Sequence, residues 1–471
     1  MQNLETEVLV IGSGPGGATT AAMLAEQGHQ VLLVEEGADL SIDSAESYSI
    51  AEMDQKYRNG GLTTTVGKTN VTYIEGRCVG GASEINAALY HRPHDETVER
   101  WAREFRIRDF TPQGLGDHFS ALENEMQVCR RPGELSPNSR LLQRGSDKLG
   151  WKSTEIERFW SYANKDDRAG RRRSMTETMI PRFRAAGGRL QPDTRVRRLL
   201  FEGNKATWAE ARCHGKTLRI RFKDVFVCAG AVQTPTLLRR SGVLTNVGEQ
   251  LRIHPMVRIA ARFPDALNDP HWGVPVRQVE EFKPNLTLGC SHSSFPHIAL
   301  WLGQEVEDKK AILQQWRSIA VFYAAVCGES TGTVRSLPLL DEPFIRYDLS
   351  ERDMSLLGEG LVRLGELVFA AGATEIFSPI EGQPSITEPS QLERVRKVPH
   401  GGKVNITTIH LFSSCPMGTS TVCAADSHGK MHGLDNVYIN DASLLPTSPG
   451  VNPQGTIMAI ARRNAARFLG A

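Results

Sequence analysis

"TEVLVIGSGPGGATTAAMLAEQGHQVLLVEEG", residues 6–37, decides the fold. Val8 to Ile11 is a continuous apolar run of strand length, and it leads into Gly12-Ser13-Gly14-Pro15-Gly16-Gly17. Ala18 to Gln27 reads as an alanine-rich helix closed by Gly28, and Gln30 to Val34 as a second apolar strand with Glu35 at its end. A helix that starts on a glycine loop presents free N–H groups and a positive dipole end to an anion. Gly12 allows the tight turn out of the strand, Gly14 lets the backbone approach a pyrophosphate, and Gly17 lets the helix pack close on the sheet. An acid about twenty residues further on accepts hydrogen bonds from ribose hydroxyls. Glu35 suits that task better than its neighbour Glu36, because it ends the strand. The stretch predicts a Rossmann-like α/β domain holding a dinucleotide, without separating FAD from NAD.

The rest of the chain is long enough for two or three domain-sized units, at 471 residues. With 40% apolar and 23% charged residues it has the composition of a globular protein, and a net charge of +1 gives no global field for nucleic acid or an anionic membrane. The longest apolar run, "IAVFYAAVC" at 319–327, suits a buried strand and is far short of the roughly 20 residues a membrane helix needs. The first seven residues are polar and run into the first strand, so no secretory leader is expected. Eight cysteines without a CxxC pair argue against a disulfide framework and point to a reducing, cytoplasmic setting. "TLRIRFKDVFVCAG", 217–230, reads as strand, turn, strand, and "LGEGLVRLGELVFAAG", 357–372, places apolar residues at helical spacing before Gly372.

Five further segments carry a family likeness. "EGRCVGGASEINAAL" (75–89) resembles the first signature of the glucose–methanol–choline (GMC) oxidoreductases, which are FAD-dependent alcohol oxidases and dehydrogenases. "VFVCAGAVQTPTLLRRSGV" (225–243) is similar to their second signature, and "NVGEQLRIHP" (246–255) to the segment after it. "HLFSSCPMGT" (410–419) and "GLDNVYINDASLLPTSPGVNPQGTIMAIARR" (433–463) resemble the two closing segments, in the family's order. Residues 263–404 carry no motif that can be placed.

The resemblance implies an FAD-binding domain assembled from 1–100, 182–262 and 405–471. A substrate-binding domain from 101–181 and 263–404 would be interleaved with it, built on an antiparallel sheet flanked by helices. It implies oxidation of a small-molecule alcohol, with hydride passing to flavin N5. His410 would be the acid–base residue and Asn452 would hold the substrate oxygen, roles that suit an imidazole titrating near operating pH and an amide that does not titrate. Gly80, Gly81 and Asn86 would pass close to the flavin, Val196 would meet the adenine side, Ala229 would sit in the "CAGA" turn, Asp441 would reach the linker of FAD, and Pro453 and Thr456 would lie near the ring. Ile85 stands where members with covalent FAD often carry histidine, so non-covalent FAD is expected.

Other chemistries are weaker. Cys415, Cys423, His428 and His432 lack the short spacing of a zinc site, so no metal is expected. No GxSxG elbow anchors a hydrolase triad. "GRRRS" (170–174) reads as a solvated face with few interleaved aromatics, so nucleic acid is not expected. His91 and His94, in "YHRPHD", stay undecided between a substrate entrance and solvent. A lyase that keeps FAD as a structural part is the alternative on the same scaffold. Sugar-like or antibiotic-sugar hydroxyls, sterols, and long-chain or aromatic alcohols are all open as substrates, as is the electron acceptor, oxygen or another. Trp272, Trp301, Trp316 and Tyr323 offer aromatic surface, and Glu305, Glu307 and Asp308 acids that a cationic substrate would meet.

Overall fold

Five short strands, Val437–Ile439, Asp224–Val227, Val8–Ile11, Val31–Val34 and Arg189–Gln191, lie side by side in that order, all parallel. A computed structural model describes residues 2–269, 272–302, 309–338 and 340–470. Val8–Ile11 and Val31–Val34 are buried along their whole length, which is why they are unbroken apolar runs without alternation. The helix after the first glycine loop is Pro15–Glu26, with Gly14 as its cap. It begins three residues before the sequence expectation because proline, which has no N–H to satisfy, is favoured at the first helical position. Two glycines there are demanded by packing. A Cβ on Gly17 would lie 1.9 Å from the Gly12 carbonyl oxygen, and one on Gly12 (φ +98°) would lie 2.4 Å from that of Cys228.

Beside this sheet runs a four-stranded one, in the order Gln2–Glu5, Lys216–Arg221, Lys205–Cys213, Thr194–Glu202. The two strands expected within 217–230 form, but in different sheets: Lys216–Arg221 ends the meander, and Asp224–Val227 enters the parallel sheet.

The third large element is a mainly antiparallel nine-stranded sheet. Its path is Thr63–Thr64, Val71–Tyr73, Ile406–Thr408, Met256–Arg262, Ile319–Val326, Leu286–Cys290, Arg277–Val279 and Ser153–Glu155, with Glu375–Phe377 pairing off Met256–Arg262. Helix Glu351–Ala370, capped by Ser350, covers one face and buries Leu357, Leu361, Leu364 and Leu367 there. Strand alternation sorts the side chains. Val257, Ile259, Val279, Leu286, Leu288, Phe322 and Ala324 join the core under that helix. Met256, Arg258, Gln278, Thr287, Tyr323 and Ala325 face the other way and floor a cavity. Among the described residues no helix is long and apolar enough to cross a membrane. The side chain of Trp301, and Glu305, Glu307 and Asp308, lie outside the described residues.

Candidate active site

A long cleft starts at the glycine loop and runs over the C-terminal ends of the parallel strands. It encloses about 1600 Å³ of empty space, its open mouth included. Gly12, Gly14, Gly81, Glu35 and Val196 line it, as do Ala229 and Asp441, and Asn86, His410, Asn452 and Pro453 line it where it meets a second cavity. The cleft fits a dinucleotide on the geometry of its own residues. A Cβ on Gly14 would meet no protein atom within 4 Å, whereas one on Gly81 (φ +56°) would come to 2.9 Å of the Gly14 Cα. The two glycine segments therefore meet, and leave bare backbone at the N-terminus of helix Pro15–Glu26, where a pyrophosphate is favoured.

Glu35 is positioned by what it accepts. Oε2 takes hydrogen bonds from the Ser13 N–H at 3.0 Å and the Ser13 hydroxyl at 2.7 Å, and Oε1 from the Gly37 N–H at 3.0 Å. Burial raises its pKa above the usual carboxylate range, and these donors oppose the rise. Glu36 also lines the cleft, but Arg58, Arg77 and Arg195 lie 2.8, 3.3 and 3.5 Å from it. Burial would raise its carboxyl, and those arginines hold it low instead.

Three expected cofactor residues stand off the cleft wall. Gly17 packs the helix. Gly80 donates its N–H to the Ser13 hydroxyl at 3.0 Å. Thr456 is fully buried, and its hydroxyl has no hydrogen-bond partner among the described residues. It sits in the first turn of helix Gln454–Phe468, where Pro453, Gln454 and Ile457 line the cleft and Gly455 and Thr456 do not. Asp441 does line the cleft, yet its carboxylate is spent on protein: it accepts from Gly230 N–H at 2.8 Å and from the N–H and hydroxyl of Ser443 at 2.8 and 2.6 Å. Asn86 is held by Gln454 Oε1 at 2.7 Å.

The far end of the cleft meets a second cavity, and His410, Asn452, Asn86 and Ile409 belong to the walls of both. His410 Nε2 lies 3.3 Å from the Asn452 amide nitrogen, and its Nδ1 lies 3.0 Å from Nδ1 of His254. His254 Nε2 contacts the Ser448 hydroxyl. Gln278 donates to the Tyr323 hydroxyl at 2.7 Å and, more weakly, to the Asn452 amide oxygen at 3.4 Å. With its oxygen turned to Gln278, Asn452 offers N–H to His410 Nε2. That nitrogen then carries a lone pair, and the His410 proton sits on Nδ1, donated to His254. Burial and the nearby Arg258 lower the His410 pKa to about 4, so the ring is neutral at pH 7 and able to accept a proton.

The second cavity also contains a stacked pair, Tyr48 and His292, with ring centres 4.8 Å apart, and His297 edge-on to both at 5.6 Å. Ile85 lines this cavity, not the cleft. His91 is turned inward, with both ring nitrogens buried and burial lowering its pKa to about 3, while His94 is exposed. Sequence reasoning gave no role to His254, Gln278, Arg258, Tyr48, His292 or His297. Only His254 had a local signal, the "HP" at the end of 246–255.

The residues weighed for zinc go to separate tasks. Cys415 is fully buried, the Cys423 thiol reaches the Met417 carbonyl at 3.3 Å, and His432 Nε2 meets the Gly418 carbonyl at 3.0 Å. Among the described residues no three potential ligands gather.

Residues 53–256 and 329–461 match the GMC oxidoreductase family, and residues 5–87 an FAD binding domain. An uncharacterized GMC-type oxidoreductase of Sinorhizobium fredii is 36% identical over 98% of this chain and 94% of its own length. A long-chain-alcohol oxidase of Arabidopsis thaliana is 25% identical over 98% of this chain and 68% of its own. The crystal structure of pyridoxine 4-oxidase from Mesorbium loti superposes with a TM-score of 0.77 at 19% identity, covering 99% of both chains. At that identity the likeness is one of fold.

Proposed function

The chain belongs to the GMC oxidoreductase family and is an FAD-dependent alcohol oxidoreductase; from that premise we propose how its own residues do the chemistry. His410 takes the hydroxyl proton of the alcohol on Nε2, and Asn452 steadies the oxygen through its amide. FAD, when bound, supplies the acceptor of the carbon-bound hydride. The observation that carries this reading is the junction of the two cavities: His410 and Asn452 line both, so they stand between the space for the dinucleotide and the space for the substrate.

Gly12, Gly14 and Glu35 would hold the pyrophosphate and ribose, with Gly81 against Gly14, Val196 would hold the adenine side, and Asn86 and Pro453 the ring end. A division into a nucleotide-side unit (1–100, 182–262, 405–471) and a substrate-side unit (101–181, 263–404) is supported by the parallel sheet, all of whose strands fall in the first set. The nine-stranded sheet takes strands from both sets and ties them together.

Anaerobic mixing of the holoenzyme with a panel of primary and secondary alcohols tests the reading. Bleaching of the flavin absorbance is expected with at least one class. A flavin that stays oxidised across the whole panel would remove alcohol oxidation and favour the lyase alternative.

A further inference from the structure

Three spaces follow one another in this protein. His410 and Asn452 line both the cleft and the inner cavity, and the inner cavity in turn meets an outer one, with Tyr48, Val274, Pro275 and His292 lining both. The outer cavity encloses about 1760 Å³ of empty space, its open mouth included. Asp43, Glu46, Ser47, Ala169, Arg171 and Phe295 are exposed and line it, so it opens to solvent. Among the described residues of the inner wall, only Ala82, Pro284 and Ile409 are exposed. Ala82 and Ile409 also line the cleft, which is the space for the dinucleotide. Two ways in from solvent are left, past Pro284 or through the outer cavity.

At the outer boundary Val274 and Pro275 are buried, and the half-buried side chains are Tyr48 and His292. Their rings stack with centres 4.8 Å apart and planes 29° off parallel, and His297 stands edge-on to both. Tyr48 is held in place at several points. Its hydroxyl donates to the Asn86 carbonyl at 3.2 Å, its N–H donates to Glu52 Oε2 at 2.7 Å, and the Arg172 guanidinium lies over its ring at 5.5 Å. The backbone opposes this placement. Tyr48 has a φ of +64°, a region that bulky side chains rarely occupy. Such conformations persist only where the surroundings impose them, and they collect at ligand clamps and switch segments. Tyr48 stands on the connection between the short helices Ile42–Ser44 and Ile50–Lys56, and His292 on that between strand Leu286–Cys290 and helix Phe295–Trp301. Either ring can therefore swing away without breaking a sheet ladder or a helix.

We propose that Tyr48 and His292 determine which alcohols are oxidised, as the gate between the outer and the inner cavity. An alcohol reaches His410 by parting the pair, and a body too long for the inner cavity keeps its tail in the outer one with the pair held open. This deepens the alcohol-oxidising reading above and rests on it.

The test uses the holoenzyme, in which FAD fills the cleft, and two readouts. The first needs no substrate. Cys327 lines the inner cavity and is half-buried, Cys213 is half-buried and lines none of the three spaces, and Cys415 is fully buried. Their labelling by N-ethylmaleimide is followed by peptide mass. Losing one aromatic pair shifts an equilibrium by about 10-fold. Tyr48→Ala and His292→Ala should each speed the labelling of Cys327 by that factor, with Cys213 unchanged and Cys415 unlabelled. Tyr48→Phe, which keeps the ring and loses the tie to Asn86, should fall between them and the wild type. Equal Cys327 rates in wild type and the alanine variants overturn the proposal and place the entrance at Pro284. If one alanine variant fails to fold, the other decides.

In the second readout, benzyl alcohol and 4-(benzyloxy)benzyl alcohol are mixed anaerobically with each enzyme. Tyr48→Ala should raise the ratio of bleaching rates, long alcohol over short, by about 10-fold or more. An unchanged or lower ratio overturns the proposal, and where neither alcohol bleaches the flavin the labelling decides. Faster Cys327 labelling in the variants, with no bleaching by any alcohol of the panel above, overturns the alcohol reading and leaves the gate standing.

Discussion

His254 and His410 meet nitrogen to nitrogen, Nδ1 to Nδ1 at 3.0 Å, with their rings nearly perpendicular at 82°. Two imidazoles can share that contact only if one of them carries the proton there. The Asn452 amide decides which, because it places N–H against His410 Nε2. His410 therefore donates from Nδ1, and His254 passes its own Nε2 proton toward Ser448. His254 acts through His410, as a positioning residue that selects the tautomer able to take a proton from the cavity. His410→Ala should slow flavin reduction by about 10²-fold or more while FAD stays bound. His254→Phe should slow it by about 10-fold to 100-fold with little change in KM, the scale of losing an orienting partner. His254→Gln, which keeps an acceptor, should recover most of the rate. Stopped-flow reduction of the three variants checks this, and normal rates in His410→Ala would take His410 out of the mechanism.

The four histidines that line the inner cavity, together with His91, also set how the fold responds to acid. Burial lowers the pKa values of His292 and His410 to about 4, those of His91 and His297 to about 3, and that of His254 well below its ordinary value. In the unfolded chain each titrates near 6.5. Above that pH neither state binds the proton, and the native state keeps its full stability. Between about 6.5 and 4 the unfolded chain takes up protons that the native one refuses, so stability falls with pH. Each histidine that stays neutral contributes roughly 1.4 kcal/mol per pH unit to that fall. The melting temperature of the holoenzyme should drop by several degrees from pH 7 to pH 5, and His292→Gln or His297→Gln should flatten the drop. A midpoint constant over that range would contradict the assignment of these rings as buried and neutral.

The two halves of the site differ in how far the sequence reveals them. The glycine loop, the helix behind it and Glu35 are contiguous, and each obeys a local steric or electrostatic demand, so the cleft is readable from residues 6–37. His410 and Asn452 lie in segments with a family likeness, and the fold brings them to 3.3 Å. The floor of the inner cavity is different. Met256, Arg258, Gln278, Thr287, Tyr323 and Ala325 come from four strands; Ile319–Val326 is a continuous apolar run, and the other three show no more than ordinary alternation. Nothing in such a pattern tells which face looks at a core and which at a cavity. Helix Glu351–Ala370 decides it by covering the other face, and that is a tertiary fact. His254 was visible in its segment, but its meaning depends on a partner 156 positions away.

Glu35 and Glu36 can be separated by FAD retention. Among the described residues Glu35 has no cationic partner and is held by Ser13 and Gly37, whereas three arginines engage Glu36. Glu35→Ala should weaken FAD binding by about 10-fold to 100-fold, the scale of one or two lost hydrogen bonds to a charged group. The chain should still fold, since the strand and helix around Glu35 keep their own packing. Flavin content after gel filtration, with circular dichroism as the control, checks this. Full FAD retention in Glu35→Ala, with loss in Glu36→Ala, would move the ribose contact to Glu36.

The attachment of FAD turns on Ile85. Its side chain has no nucleophilic atom, and it is buried in the wall of the inner cavity beside Asn86. Of the nearby groups that carry one, Cys78 is buried, and burial pushes its thiol far above the range in which a thiolate forms. Both facts argue that FAD is held by the cleft alone. Precipitating the holoenzyme with acid should leave a colourless pellet and a yellow supernatant, and the released flavin should have the mass of unmodified FAD. A pellet that stays yellow would mean a covalent link. His91 would then be the first residue to replace, since its ring nitrogens are buried and the ring is neutral, with burial and nearby charges, His410 among them, holding its pKa down.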